Sequence, residues 1–342
     1  MIFPPFPEPF TVEIEVTNHC NAKCSFCPHS TMSRVRQYID VEKYETFIKN
    51  LVSVKKNLWM NRVSGLDLFP RIVFAGLGEP TLHPQLTELV RIAANLGFRV
   101  QLVTNGSKLS EQMINELEQA GLAEIAISLH SLNEEIYYSI MKMQLSKVLP
   151  RIIEGLEALR NTNIKTEIWR VLPPPGQKRE SEIDQEHFNQ FISRYPFVTV
   201  LGPSEPWERD GTVPNSKWTG VSDNLFDKHH NEGFRIWCNK LYMTFNITLD
   251  GTVLMCCVDY HRITVPLGNV FTDEYDNFSD YFNRLQLKRQ EIMSAAIKPQ
   301  ICQSCRRWSD TEYPEIYEKY LKKNLTSADH FLGGVSNGSN VL

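Results

Sequence analysis

Cys20, Cys24 and Cys27 place three thiols within eight residues, in the spacing Cys-x3-Cys-x2-Cys. An even cysteine count in a small secreted chain suggests disulfides. This chain is long, no export signal is visible, and its eight cysteines cluster at short, metal-like separations, so they read as ligands. Three thiolates satisfy three irons of a 4Fe-4S cube and leave the fourth without a protein ligand, where chemistry is possible. The alternative is a Cys3His zinc site completed by His19 or His29. A second set follows: Cys238, then Cys256, then the close pair Cys302-x2-Cys305. Four thiolates suffice for one closed tetrahedral zinc or one fully ligated 4Fe-4S cluster, and spacing alone does not choose between them. Cys257 is left over. Adjacent strand residues point to opposite faces, so Cys256 and Cys257 do not easily serve one iron.

The elements that must position these thiols follow from periodicity. Residues 11–16 (TVEIEV) alternate apolar with polar side chains and are rich in β-branching, which predicts a strand running straight into the three-cysteine loop. Asp40 caps a helix over 41–56, and 71–75 (RIVFA) is a short buried strand entering the turn Gly76-Leu77-Gly78-Glu79-Pro80. Helix 84–96 closed by Gly97, strand 99–104, turn Asn105-Gly106 and helix 111–120, capped by Ser110 and stopped by Gly121, continue the alternation. Strand 124–128, helix 146–160, strand 165–171, a helix around 186–195 and strand 198–201 complete it. Strands alternating with helices require right-handed crossovers and a parallel sheet. About six units fit, short of the eight of a closed barrel, so the predicted fold is α/β, a partial (β/α)6 TIM-like barrel over residues 11–202.

A proline-rich extension, 1–10, precedes the barrel, and residues 203–235 lose periodicity and read as a linker or insertion. Residues 236–325 form a smaller α+β region. Its strands 241–248 and 252–258 flank the hairpin signal Asp250-Gly251, and helices are predicted over 278–294 and 315–323. Residues 326–342, rich in Gly, Ser and Asn, read as a disordered tail. With 342 residues, 42% hydrophobic and 22% charged, the chain has material for a sizeable core. A net charge of -4 supplies no global field for nucleic acid or an anionic membrane, and no apolar run is long enough to span a bilayer. A cytoplasmic protein with neither nucleic-acid nor membrane partners is expected.

The combination of CxxxCxxC, Phe26 just before the last cysteine, and Gly76-Leu77-Gly78-Glu79-Pro80 after a strand resembles the radical S-adenosylmethionine (SAM) superfamily. The resemblance covers most of residues 11–202. It implies a SAM-binding 4Fe-4S cluster on Cys20, Cys24 and Cys27, with SAM chelating the open iron and cleaved to a 5'-deoxyadenosyl radical. Gly78 and Glu79 match the family's GGE turn, which holds the methionine amino group; Leu77 replaces its first glycine. Ser128, ending the fourth strand, matches the position that commonly hydrogen-bonds the ribose, and Phe26 is implied to lie beside the adenine. Asn105 closes the third strand at the same mouth, and Arg170, near the end of the fifth, is a candidate partner for the SAM carboxylate. The plainer readings are a turn residue for Asn105, a strand cap for Ser128 and a solvated surface charge for Arg170. His130, in Ser-Leu-His, is also placed to face this site.

Cys238-x12-Gly251-x4-Cys256 with the later CxxC resembles the SPASM/twitch extensions of radical SAM enzymes, here in the shorter twitch form with one auxiliary 4Fe-4S cluster on Cys238, Cys256, Cys302 and Cys305. The cysteine spacing is especially similar to that of 2-deoxy-scyllo-inosamine dehydrogenase, in which the auxiliary cluster is thought to accept the second electron of an alcohol oxidation. The resemblance implies an oxidoreductase acting on a hydroxyl-bearing small molecule such as a sugar, aminocyclitol or nucleotide sugar. It further implies a flavodoxin- or ferredoxin-type electron donor and Asp259 or Arg170 as candidate base. Three alternatives stand beside it: an epimerase with Cys257 as hydrogen-atom donor, a peptide-modifying enzyme, and a non-enzymatic zinc-binding scaffold. The ten or so residues before the first strand leave no room for the N-terminal peptide-binding domain that peptide modifiers often carry.

Overall fold

Short apolar strands alternating with amphipathic helices form one continuous sheet in the computed structural model, which describes residues 11–55, 71–174, 176–204, 244–257, 259 and 266–294. Strands β1 (Thr11–Ile14), β2 (Arg71–Phe74), β3 (Val100–Thr104), β4 (Leu122–Ser128), β5 (Lys165–Val171) and β6 (Val198–Ser204) pair side by side in chain order, every pair parallel. The crossovers carry α1 (Val41–Lys55), α2 (Leu86–Asn95), α3 (Glu111–Gln119), α4 (Glu134–Met141) with α5 (Leu145–Leu159), and α6 (Glu182–Ile192). This is the expected partial barrel of six parallel strands. Alternate strand residues such as Val12, Ile72, Val100 and Ile125 are fully buried in the core under the helices. The opposite face is polar: Asn246, Glu13 and Gln101 lie in one register row, joined through Val73 to Glu124.

Local chemistry fixes the helix starts. Ser110 Oγ accepts from the Met113 N–H, the Asn133 side chain accepts from Glu135 and Ile136, and Ser181 with Asp184 forms a reciprocal capping box. The sequence reading has no helix between 128 and 146. The structure places α4 there, with Ile136, Tyr137, Ile140 and Met141 buried on it. Elsewhere boundaries move by a few residues: β4 begins at Leu122, α6 at Glu182, and β6 runs on to Ser204, into the span expected to be linker. The extension 1–10, most of the linker, the helix at 315–323 and the tail at 326–342 lie outside the described residues.

The second region continues the barrel sheet. Its first strand, β7 (Thr244–Ile247), pairs in parallel with β1, from Thr11 opposite Thr244 to Ile14 opposite Ile247. Strands β8 (Thr252–Leu254) and β9 (Gly268–Asn269) then add antiparallel, giving the order β6-β5-β4-β3-β2-β1-β7-β8-β9. The turn forms at Asp250-Gly251, where Gly251 has φ +83° and a Cβ would lie 2.5 Å from the Phe271 ring. The last described helix, α7 (Phe278–Ser294), packs on α1, with Phe278 edge-on to Phe47 at 5.9 Å, and Phe282 lies 4.7 Å from Phe245 of β7. An edge strand shared with the barrel and an aromatic seam join the described part of the second region to the barrel. Phe245→Ala is therefore expected to cost about 3–5 kcal/mol and to lower the urea midpoint of the whole chain in a single transition. Two separate transitions, with only one displaced, would contradict this.

Candidate active site: the three-cysteine loop and the turn that meets it

The loop leaves β1 at its carboxyl end, where ligands bind in parallel sheets. Its stem is closed by backbone pairs: Ile39 N–H to Val16 O at 2.8 Å, Asn18 N–H to Gln37 O at 3.3 Å, and an antiparallel bridge between Thr17 and Tyr38. Asn18 fastens it further, donating to Val35 O at 2.8 Å and accepting from the Gln37 N–H at 2.7 Å. Within the loop, Cys27 N–H bonds Cys24 O at 3.0 Å, and Cys27 stands just before a single 3-10 turn, Pro28–Thr31. The carboxyl end of α4 holds the loop's centre. Ser25 N–H donates to Ile140 O at 2.8 Å, Lys23 N–H donates to Met141 O at 3.3 Å, and Cys24 Sγ lies 3.6 Å from Met141 Sδ.

The turn after β2 meets this loop from the other side. Glu79 N–H donates to His19 O at 2.8 Å, and a Cβ on Gly78 would lie 1.9 Å from Thr17 O, so backbone approach excludes any side chain there. Glu79 is buried. Its Oε1 accepts from Thr81 N–H, Thr81 Oγ1 and Thr104 Oγ1, and its Oε2 accepts from the Asn105 N–H at 2.7 Å. Burial pushes the Glu79 carboxyl upward against these bonds. Asn105 also donates to Asn21 Oδ1 at 2.8 Å, tying the end of β3 to the cysteine loop.

Beneath both segments lies Glu15, buried at the end of β1. Arg34, from beyond the cysteines, grips its carboxylate with two bonds of 2.6 and 2.8 Å. The same carboxylate accepts from the N–H of Leu77 in the β2 turn and of Leu249 in the β7–β8 turn, both at 3.4 Å. Leu77 in turn packs with Leu254 of β8, with Cys27 and Met32 against them.

The sequence profile of the radical SAM superfamily matches residues 14–188. The chain belongs to this superfamily. A second profile, SPASM, an iron-sulfur cluster-binding domain, matches residues 238–306. Among relatives, the chain is 32% identical to GTP 3',8-cyclase of Chlorobaculum tepidum over 84% of its own length and 88% of that protein's. Among solved structures, anSMEcpe with bound AdoMet matches at TM-score 0.51 and 17% identity, covering 91% of this chain and 96% of that one. Streptococcus suis SuiB bound to S-adenosylmethionine matches at TM-score 0.51 and 15% identity, covering 88% and 71%. These structural likenesses carry the fold. A radical SAM enzyme of this type uses a SAM-binding 4Fe-4S cluster, SAM and an auxiliary iron-sulfur site.

The residues fit these groups. Cys20, Cys24 and Cys27 are partly exposed thiols on one loop anchored at both flanks. Burial pushes the Cys20 thiol up to about 12, so binding iron releases its proton. Among the described residues no three His, Cys, Asp or Glu side chains already converge to grip a metal. Glu79 Oε2, with one bond made, has capacity for an ammonium donor. His130 Nε2 and Tyr137 Oη are buried without hydrogen-bond partners among the described residues.

The other residues named from sequence fall as follows. Phe26 packs against the core with its ring edge-on to His130 at 6.2 Å, and Ser128 ends β4 partly exposed. Arg170 is no solvated surface charge. It is buried, donates to Glu180 Oε2 at 2.5 Å and to His130 O at 3.2 Å, and lies 3.7 Å from the Phe188 ring centroid. Its guanidinium is thus taken up by a carboxylate, a carbonyl and a ring, which leaves the candidate base to Asp259. Cys256, Cys257 and Asp259 are buried together after β8, with Asp259 N–H bonded to Cys256 O at 3.2 Å. Cys238, Cys302 and Cys305 lie outside the described residues. Sequence reasoning left Glu15 and Arg34 without a role. Glu15 is, by sequence, one more polar position in the alternation of the first strand. Gly78→Ala is expected to displace the turn and weaken SAM binding at least about tenfold, or 1.4 kcal/mol, by equilibrium dialysis. Unchanged affinity would show that the turn does not hold SAM.

Proposed function

We propose that this radical SAM enzyme oxidises a hydroxyl-bearing small molecule, a sugar, aminocyclitol or nucleotide sugar, to the carbonyl. When bound, the cofactors supply a 5'-deoxyadenosyl radical to take the carbinol hydrogen atom and an auxiliary cluster to accept the remaining electron. The observation that carries the reading is the hairpin: Leu254 packs on Leu77 beside Cys27, two residues before Cys256, so both ligand segments adjoin one apolar contact. The cyclase relative, whose name specifies GTP, supports a small ribose-bearing substrate over a peptide, and the cysteine spacing supports oxidation.

In this reading Asp259 receives the hydroxyl proton. It is buried and fixed to the Cys256 carbonyl, so the base sits on the segment that receives the electron. Apolar packing of Leu77, Leu254 and Met32 keeps water from the side of the site where Cys27 lies. Ser128 and Asn105 serve the ribose and the mouth, Phe26 the adenine, and Gly78 with Glu79 the methionine ammonium. Cys238, Cys256, Cys302 and Cys305 hold the auxiliary cluster. A flavodoxin or ferredoxin supplies the starting electron in the cytoplasm, the compartment that keeps these thiols reduced.

Anaerobic incubation with SAM, a reductant and a panel of carbinol-deuterated sugars, aminocyclitols and nucleotides tests it. Deuterium should appear in 5'-deoxyadenosine, with one carbonyl product per SAM consumed. Product that instead gains one solvent deuterium at carbon would replace oxidation by epimerisation, with Cys257 as donor.

A further inference from the structure

One buried hydroxyl beside the cysteine loop has no task in the mechanism above. Helix α4 ends at Met141, and its last carbonyls hold the loop: Ile140 O accepts from the N–H and hydroxyl of Ser25, and Met141 O accepts from the Lys23 N–H. Tyr137 precedes these residues by three and four positions, so it shares their helix face. It is fully buried, and its Oη is without a hydrogen-bond partner among the described residues. A buried phenol ordinarily finds one. Burial first, then the neighbouring Cys24, Glu134 and Glu79, push this hydroxyl well above its usual range. It stays a protonated donor, within electrostatic reach of a cluster cysteine and of the carboxylate of the β2 turn.

We propose that Tyr137 donates a hydrogen bond to a sulfur of the SAM-binding cluster, the Cys24 thiolate or a sulfide beside it, and so favours the reduced cluster. Reduction adds negative charge to the cluster and its sulfurs, and a donor stabilises the more negative state. In this one-electron step the external reductant is oxidised, the cluster is reduced, and the phenol keeps its proton. The proposal rests on the family's cluster and not on the alcohol substrate, so either can fail without the other.

The test compares reconstituted wild type with Tyr137→Phe in an anaerobic redox titration followed by electron paramagnetic resonance. It is run first without and then with SAM, after the cluster's signal has been identified by the change SAM makes to it. At equal iron content, the reduction equilibrium should become about tenfold less favourable in the variant, 59 mV lower for one electron. A 3-fluorotyrosine at position 137, a stronger donor of similar shape, should shift the potential the opposite way. Equal potentials in wild type and Tyr137→Phe would overturn the proposal. So would a shift seen only with SAM bound, which would assign the hydroxyl to the cosubstrate. Should Tyr137→Phe take up no cluster, the fluorotyrosine protein decides: no shift there, with no exchangeable deuteron coupled to the reduced wild-type cluster, also overturns it.

Discussion

A single buried carboxylate joins the parts of this molecule that must act together. Glu15 lies at the end of the first strand with its side chain fully buried, and such a charge is tolerated only when paired and hydrogen-bonded. Each group that satisfies it comes from a different segment: the Arg34 fork from the cysteine loop, the Leu77 amide from the β2 turn, and the Leu249 amide from the auxiliary hairpin. Its own backbone N–H bonds Ile247 of β7 at 2.9 Å. Gly76, at φ +137°, passes so close that a Cβ would lie 2.9 Å from the Glu15 side chain. Removing one partner of such a buried pair costs about 3–5 kcal/mol. The charge therefore forces three otherwise separate segments into one register.

That register gives a reason for the departure from the family's turn sequence. Where the turn pattern has a first glycine, this chain has Leu77, and its side chain is buried against Leu254, with Cys27 and Met32 packed around them. Gly78 cannot make the same change, because the Thr17 carbonyl occupies the space a side chain would need. One position of the turn faces the hairpin and accepts bulk; the next faces backbone and accepts none. The substitution serves the contact between the two iron-sulfur regions and leaves the backbone approach of the turn intact.

Much of the fold was legible because its signals are local. Alternation with β-branching marked the first strand, Ser110 and Gly121 bracketed a helix, and Asp250-Gly251 marked the hairpin. The cysteine triplet and the Gly-x-Gly-Glu-Pro turn were legible as a pair because both are short and close to strand ends. Helix α4 also has its signals, the Asn133 cap, acidic Glu134 and Glu135, and apolar spacing through Met141, but it is short and adjoins the longer α5, whose pattern is the stronger. What could not be read was what depends on pairing across long separations. Nothing local in TFNI says that it joins β1 in parallel rather than starting a separate domain. Glu15 looked like one more polar residue of an alternating strand, since its partners lie 19, 62 and 234 residues away. Sequence alone left Arg170 open between a partner for SAM and a solvated surface charge, because the residues that cover it, Glu180 and Phe188, lie beyond its own strand.

The central claim is that Glu15 couples the cysteine loop, the β2 turn and the auxiliary hairpin. Amide hydrogen exchange, resolved over residues 15–39, 76–82 and 247–251 in wild type and Arg34→Ala, tests it most directly. The coupling predicts that all three segments lose protection together, by about tenfold or more, while the helices on the far side of the barrel do not. Faster exchange confined to the loop around Arg34, with the Leu77 and Leu249 amides as protected as before, would contradict it.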